Sequence, residues 1–443
     1  VKLYPALIVL APLCLLLTGC PLTDHYRLQE DSLGTGGANG GEASTGGASS
    51  ATGGNAGESE AAGSANGPCT VTCTANRTCV DNVCAGGWLP MAMPPPQIAA
   101  RSKAAVVAMG RSVFIWGGLG EDNMGLNNGA IYDPVSDVWT PLPPDPGSPG
   151  ARMLATAVWT GAASNKVIVF GGSDAAGGMI YKDGAVYDPL GNSWSALPGS
   201  ASVSKRSSPY GYWDGTRAVF YGGLTSLNMN PMAVPGADRF DFDKWSTSPS
   251  SGDPGLLGFS ATAFDGSVMY LQGGVIEGVR QDKVFAYTSS TNTWASLPKG
   301  PSPRTGAFGA WDGTHFVVWG GQDDAGMIAD GKIMSGMTWS DMASSDVLSP
   351  RRIGSGRSGW AFQVKPGVVA MIGGQTSISG SSDTLKTDGA TYVVDSGKWA
   401  EIPSWPSGEK HEYGMGVWTG EEFVIWGGRT QNVSKPTGER WAP

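Results

Sequence analysis

The sequence predicts an all-β fold built from one structural unit repeated seven times. Three observations carry this expectation. Short apolar runs end in Gly-Gly, the first glycine of each pair being Gly117, Gly171, Gly222, Gly273, Gly320, Gly373 and Gly427, at successive spacings of 54, 51, 51, 47, 53 and 54 residues. Tight-turn signals stand upstream of several pairs, and an aromatic residue followed by Trp stands downstream of most. A fixed period of about 50 residues marks a repeat architecture, in which each unit buries its apolar face only against its neighbours.

The parts of the unit follow in order. Trp213-Asp-Gly215, Phe264-Asp-Gly266, Trp311-Asp-Gly313 and Trp418-Thr-Gly420 join a first strand to a second; Asp-Gly between apolar runs is a strong hairpin signal. The second strand is the run before the glycines, such as Val113-Phe-Ile-Trp116, Val167-Ile-Val-Phe170 and Phe423-Val-Ile-Trp426. Continuous apolar runs of this length fit strands buried on both faces. A third strand holds the aromatic and a fourth holds the Trp: Tyr132 with Trp139, Tyr187 with Trp194, Tyr287 with Trp294, Tyr392 with Trp399. Phe240 with Trp245 is a shortened version, and Met334 with Trp339 a weaker one. Leu142-Pro143, Leu197-Pro198, Leu297-Pro298 and Ile402-Pro403 follow the Trp.

Gly-Gly after the second strand with a spaced Tyr and Trp resembles the kelch repeat. The resemblance covers residues 86–443. It implies a seven-bladed β-propeller in which each unit is a four-stranded antiparallel blade set around a central axis. The Gly pair then permits close backbone approach at positive φ, and the aromatic pair fills the wedge between blades. The seventh copy ends in Gly438-Glu-Arg-Trp441, a third strand without a fourth, while Gly87-Trp88-Leu89-Pro90 stands before the first copy as an orphan fourth strand. The two chain ends are therefore expected to pair and close the ring, leaving no open edge.

Composition limits function. Of 443 residues 68 are Gly, roughly twice ordinary usage, and 15% are charged, with a net charge of −9. Nucleic acid is not an expected partner, because phosphate neutralisation needs clustered Lys and Arg. With His25, His315 and His411 the only histidines, no metal and no cofactor is expected. Galactose oxidase-like relatives of the kelch superfamily need a copper site with two His and a Tyr–Cys crosslink, and here no Cys follows Cys84.

The first 85 residues read differently. An apolar run, residues 7–17, is too short to span a bilayer and reads as the core of a signal peptide. It ends in Leu17-Thr18-Gly19-Cys20, which resembles the bacterial lipobox and implies lipidation of Cys20 and anchoring in the cell envelope, at the outer membrane given Pro21 and Leu22; the alternative is an ordinary secretory peptide. Residues 20–68 are a Gly/Ser/Ala-rich tether that lacks the apolar surface to offset its ordering entropy. Cys69, Cys73, Cys79 and Cys84 form an even set expected to make two disulfides, with three pairings open and zinc as the rival. The expected organisation is a signal peptide at 1–19, the tether at 20–68, the cysteine cluster at 69–85 and the propeller at 86–443, as a monomer.

The loops after Gly-Gly vary in length, from residues 275–281 to residues 375–388. They share one face with the segments that enter each blade, and those segments carry Arg101, Arg152, Arg206, Arg304, Arg352 and Lys410. Two readings stand open. Each cation bonds carbonyls of the neighbouring blade, or several converge on an anionic ligand. No acid–base pair stands out; Glu412 with His411 and Arg352 comes nearest. The preferred reading is a binding module for a protein or glycan, the alternative a carbohydrate-active enzyme such as a sugar mutarotase.

Overall fold

The computed structural model describes residues 86–443, apart from 228–232, 250, 256–257, 355–357 and 378–383, together with the backbone of Cys79–Val80 and Val83–Cys84. Cys20, the tether, Cys69 and Cys73 lie outside the described residues. The two short strands pair antiparallel with Cys79 opposite Cys84.

Seven four-stranded antiparallel sheets follow one another along the chain. Blade 1 comprises Ala105–Met109, Ser112–Trp116, Gly129–Asp133 and Val138–Pro141, hydrogen-bonded in that order. Blades 2 to 6 repeat the pattern. First strands of neighbouring blades pack on one another round the central axis. The second strands are buried along their length, as in Val167–Phe170, Ala218–Tyr221, Phe316–Trp319 and Phe423–Trp426. This is why their sequences are unbroken apolar runs: both faces meet another blade.

The aromatic spacing has a simple geometric cause. Tyr132 lies directly opposite Trp139 across the last hairpin, as Tyr187 does Trp194, Tyr287 Trp294 and Tyr392 Trp399. The shortened and weakened copies hold the same register, Phe240 with Trp245 and Met334 with Trp339. Each Trp then reaches the preceding blade. Trp139 packs 4.9 Å from Trp426, Trp194 5.9 Å from Trp116, Trp245 5.0 Å from Phe170, Trp294 5.2 Å from Tyr221, and Trp399 5.9 Å from Trp319. Several indole N–H groups also donate to a carbonyl just past the preceding blade's outer strand: Trp245 to Pro198, Trp339 to Pro298 and Trp399 to Ala343. The apolar clusters accordingly lie between blades. One single-turn helix, Gly161–Ser164, replaces the tight turn between the first two strands of blade 2.

The ring closes through its two ends. Gly87–Pro90 pairs antiparallel with Gly438–Ala442, placing Trp88 opposite Trp441 and Leu89 opposite Arg440. Blade 7 thus reads Met415–Trp418, Phe423–Trp426, Gly438–Ala442, then Gly87–Pro90. Trp88 fills the same role as the other outer-strand tryptophans, donating to the Pro403 carbonyl of blade 6 at 2.7 Å. Arg440 ties the closed blade to blade 1 through the Pro134 carbonyl, and its Nη1 lies 3.3 Å from Glu422.

Candidate functional site

The face that carries the variable loops is organised by the glycine pairs. Both glycines have positive φ in all seven pairs. In five pairs the N–H of the second donates to the backbone carbonyl of the residue that enters the next blade: Gly118 to Arg152, Gly172 to Arg206, Gly274 to Arg304, Gly321 to Arg351, and Gly428 to Arg101 across the closure, whereas Gly374 donates to the Ser358 carbonyl of its own blade. The side chain of that same Arg turns into its own blade. Arg101, Arg206 and Arg304 donate from Nη1 to the carbonyls of Gly117, Gly222 and Gly320 at 3.0, 2.8 and 3.0 Å, and Arg152 does so to Gly171 at 3.1 Å. One residue therefore links the last turn of one blade to that of the next.

These guanidinium groups are committed to the scaffold. Arg101, Arg152, Arg206 and Arg304 are 0–2% exposed. Burial lowers Arg101 to about 10. Arg206 also holds buried Asp238, Nε to Oδ2 at 2.6 Å; burial pushes that carboxyl upward, against the pull of Arg206 and of the Ser204 N–H. A buried guanidinium is tolerated only where its donors are satisfied, and here Gly and loop carbonyls satisfy them.

In blades 6 and 7 the equivalent residue stands next to the one the sequence suggested. Arg351, not Arg352, bonds the Gly373 carbonyl and pairs with Asp388, Nη1 to Oδ1 at 2.9 Å. In blade 7 it is His411, not Lys410: Nδ1 meets the Gly427 carbonyl, and Nε2 lies 3.0 Å from Glu439. A constant separation of 16 residues from the first glycine marks Arg101, Arg206, Arg304 and His411 alike. That spacing could have identified His411; the Arg351-Arg352 doublet, displaced by an insertion, hid the register. The sequence places Leu257 at this position in blade 4, outside the described residues. Lys410 reaches across to the Leu385 carbonyl at 2.8 Å. Arg352 donates to the Gln322 side chain at 2.8 Å, and burial followed by the nearby charge of Arg280 lowers it to about 10.

Two residues past the linker position, in every blade but the sixth, the chain turns sharply into the inner strand. Lys103, Leu154, Ser208, Phe259, Gly306 and Tyr413 do so at φ between 54° and 65°. Such a conformation costs a non-glycine residue roughly 1–2 kcal/mol. It is held by hydrogen bonds that run from blade to blade around the axis. Lys103 N–H donates to the Tyr413 carbonyl, Leu154 to Lys103, Ser208 to Leu154, Gly306 to Phe259 and Ile353 to Gly306. Backbones so joined lie about 5 Å apart, and the bonds follow the blade entries around the axis on the loop-bearing face. Side chains at these positions therefore line the mouth of the channel.

At one side of this mouth charges collect. The Lys103 ammonium sits 4.7 Å from the centre of the Tyr413 ring, and the Arg429 guanidinium sits 5.0 Å from the same ring. Glu412 accepts from Arg429 Nε at 3.3 Å. His411 and Glu412, adjacent in sequence, thus face different partners, and Arg352 meets neither of them but Gln322, with Arg280 nearby. The signal for Lys103 and Tyr413 was faint: both sit two residues beyond the linker position, in segments with no other common feature. A groove away from this mouth, between the outer edges of blades 2 and 3, is lined by Lys166, Asp188, Leu197, Pro198 and Phe242; its charges are already matched, Lys166 to Asp188 at 2.6 Å.

The chain matches the kelch motif over residues 100–146. It is similar to Kelch-like protein 25 of Xenopus tropicalis, 24% identical over 230 residues, which are 50% of this chain and 37% of that one. It is also similar to Kelch-like protein terF of Aspergillus terreus, 26% identical over 254 residues, 54% of this chain and 53% of that one. The chain thus spans between about a third and a half of the length of these relatives. Among solved structures, one titled "Structure of YjhT" aligns with 71% of this chain and 99% of its own at a TM-score of 0.50 and 19% identity, a likeness of fold. The chain is a seven-bladed β-propeller that carries a kelch motif and has kelch-like relatives.

Proposed function

We propose that the protein is a lipid-anchored binding module of the bacterial cell envelope, which presents the loop-bearing face of its propeller to a protein or glycan. A signal peptide at 1–19 and lipidation at Cys20 would place it at the membrane, and the tether at 20–68 would carry the propeller clear of the surface. One observation carries the binding reading: a recurring Gly-Gly pair, stapled in most blades by a buried Arg, forms a common frame, while the loops mounted on it differ from blade to blade in length and sequence. Recognition commonly resides in variable loops on a fixed scaffold.

Two measurements test the reading. Labelled palmitate is expected to enter the full chain and to be lost in Cys20→Ser, which should leave the membrane fraction. A glycan array and a panel of purified envelope proteins, probed with the Cys20→Ser chain, are expected to return a saturable ligand. Labelling independent of Cys20 would remove the anchor. Conversion of a sugar by the chain would replace the binding module with a carbohydrate-active enzyme.

A further inference from the structure

We propose that Lys103, Arg429 and Tyr413 form a binding site for a small anionic group, a carboxylate or a phosphate, at the loop-bearing mouth of the central channel. The inference deepens the binding-module reading, on which it rests, by naming the chemistry that the face would recognise.

The argument begins with an unbalanced charge. Lys103 is only 7% exposed, yet among the described residues no acceptor lies within hydrogen-bonding distance of its ammonium. Its close partner is the face of Tyr413. A cation over an aromatic face is attracted by the ring quadrupole, but more weakly than by a carboxylate. Arg429 meets the same ring. Glu412 engages Arg429 through Nε, and the two Nη groups have no protein acceptor among the described residues. Two cations thus converge on one ring with one carboxylate between them, a net single positive charge. Like charges held together away from water repel strongly, and an anion placed between them relieves the repulsion and supplies the missing acceptors.

The strain at the site points the same way. Lys103 and Tyr413 both adopt left-handed backbone, at φ 57° and 54°, and their main chains are joined by the Lys103 N–H to Tyr413 carbonyl bond at 3.2 Å. The backbone ring therefore fixes the two side chains relative to each other before any ligand arrives. The hairpin of Arg429–Thr430 with Val433–Ser434 braces Arg429 from the loop side. A preorganised pair of donors loses little freedom on binding.

The site titrates. Burial, then the charge of Arg429, lowers Lys103 to about 8, with Glu412 opposing. The Lys103 ammonium is charged at pH 7 and largely neutral at pH 9.5. Anion affinity should therefore fall as the pH rises through 8.

The test is a calorimetric titration of the full chain at pH 7 with sodium acetate and, separately, with inorganic phosphate, acetamide serving as the uncharged analogue. At least one anion is expected to bind saturably and acetamide not to bind; the tighter of the two names the ligand group as carboxylate or phosphate. The dissociation constant should rise at least tenfold in Lys103→Met and in Arg429→Gln, and stay within about threefold in Lys103→Arg. Arg111→Gln, which breaks the exposed ion pair with Glu421, should leave it unchanged. In the unaltered chain, acetate binding should weaken between pH 7 and pH 9.5, a readout that needs no variant to fold. Absence of binding by both anions, or binding that survives Lys103→Met and Arg429→Gln in folded protein, overturns the site. So does acetate affinity that is flat from pH 7 to pH 9.5. A glycan or protein ligand bound equally well by Lys103→Met would also overturn it while leaving the binding module standing.

Discussion

Lys103 and Arg304 show how two buried cations in the same layer of a fold come to different ends. Arg304 is 1% exposed, and its guanidinium bonds Gly320 and Ser302 carbonyls and pairs with Asp330. Its charge is spent on architecture. Lys103 stands two residues beyond the linker position in its blade and has a ring face to meet. The sign of its effect on stability can be worked out. A lysine in the unfolded chain titrates near its usual 10.5, and this one near about 8 in the fold. At pH 7 both states hold the proton, and the penalty for keeping it in the folded state, on the order of 3 kcal/mol, is fully present. Between pH 8 and 10.5 the unfolded state binds more protons, so native stability rises with pH through that window. Urea unfolding should therefore find Lys103→Met more stable than the unaltered chain at pH 7, by roughly 2 kcal/mol, with the gain gone by pH 11. A loss of stability at pH 7 would mean that Lys103 is a structural residue. A residue that weakens the fold while lining its mouth is what a functional role looks like energetically.

At the scale of strands and turns, the repeat was readable because packing imposes it. Gly-Gly recurs because each pair needs positive φ twice and because a side chain has no room. A Cβ on Gly172 would lie 2.7 Å from the Met153 carbonyl and 2.9 Å from the Ala155 nitrogen, both backbone atoms that cannot swing away. Gly172→Ala is expected to cost more than about 2 kcal/mol, read by thermal or urea unfolding, whereas Gly199→Ala, with nothing within 4 Å, should be near neutral. Equal effects would detach the motif from the staple it makes. The Tyr–Trp spacing was legible for the same reason, since cross-strand register sets it. The candidate site was less legible. Cations entering the blades stand out in sequence, but whether a side chain turns toward its own Gly carbonyl or toward the axis is decided by one step along the chain, as Arg351 beside Arg352 and His411 beside Lys410 show. The residues at the mouth share a backbone conformation rather than a residue type, running from Lys103 through Leu154 and Ser208 to Gly306, so no side-chain pattern announces them.

For the whole molecule, closure is the property on which everything else depends. Each blade's outer-strand Trp packs on its predecessor, five of the second glycines hold the residue that enters the next blade, and hydrogen bonds between blade entries run from blade 7 through blades 1, 2 and 3 and from blade 4 through blade 6. Such an arrangement has no natural end, and an open ring would expose a second strand built to be buried on both faces. The chain meets this by giving blade 7 three strands from its C-terminus and one from residues 87–90. The incomplete last copy and the orphan Gly87-Trp88-Leu89-Pro90 made this closure visible in the sequence, since neither fragment can be stable by itself. The anion site depends on it as well: Lys103 comes from blade 1, and Tyr413 and Arg429 from blade 7, on opposite sides of the seam. Deleting residues 86–92 and following unfolding by calorimetry tests the closure most directly. The expected result is a propeller whose unfolding temperature falls by roughly 10 °C or more, in one transition that includes every blade; an unfolding temperature equal to that of the intact chain would contradict the account.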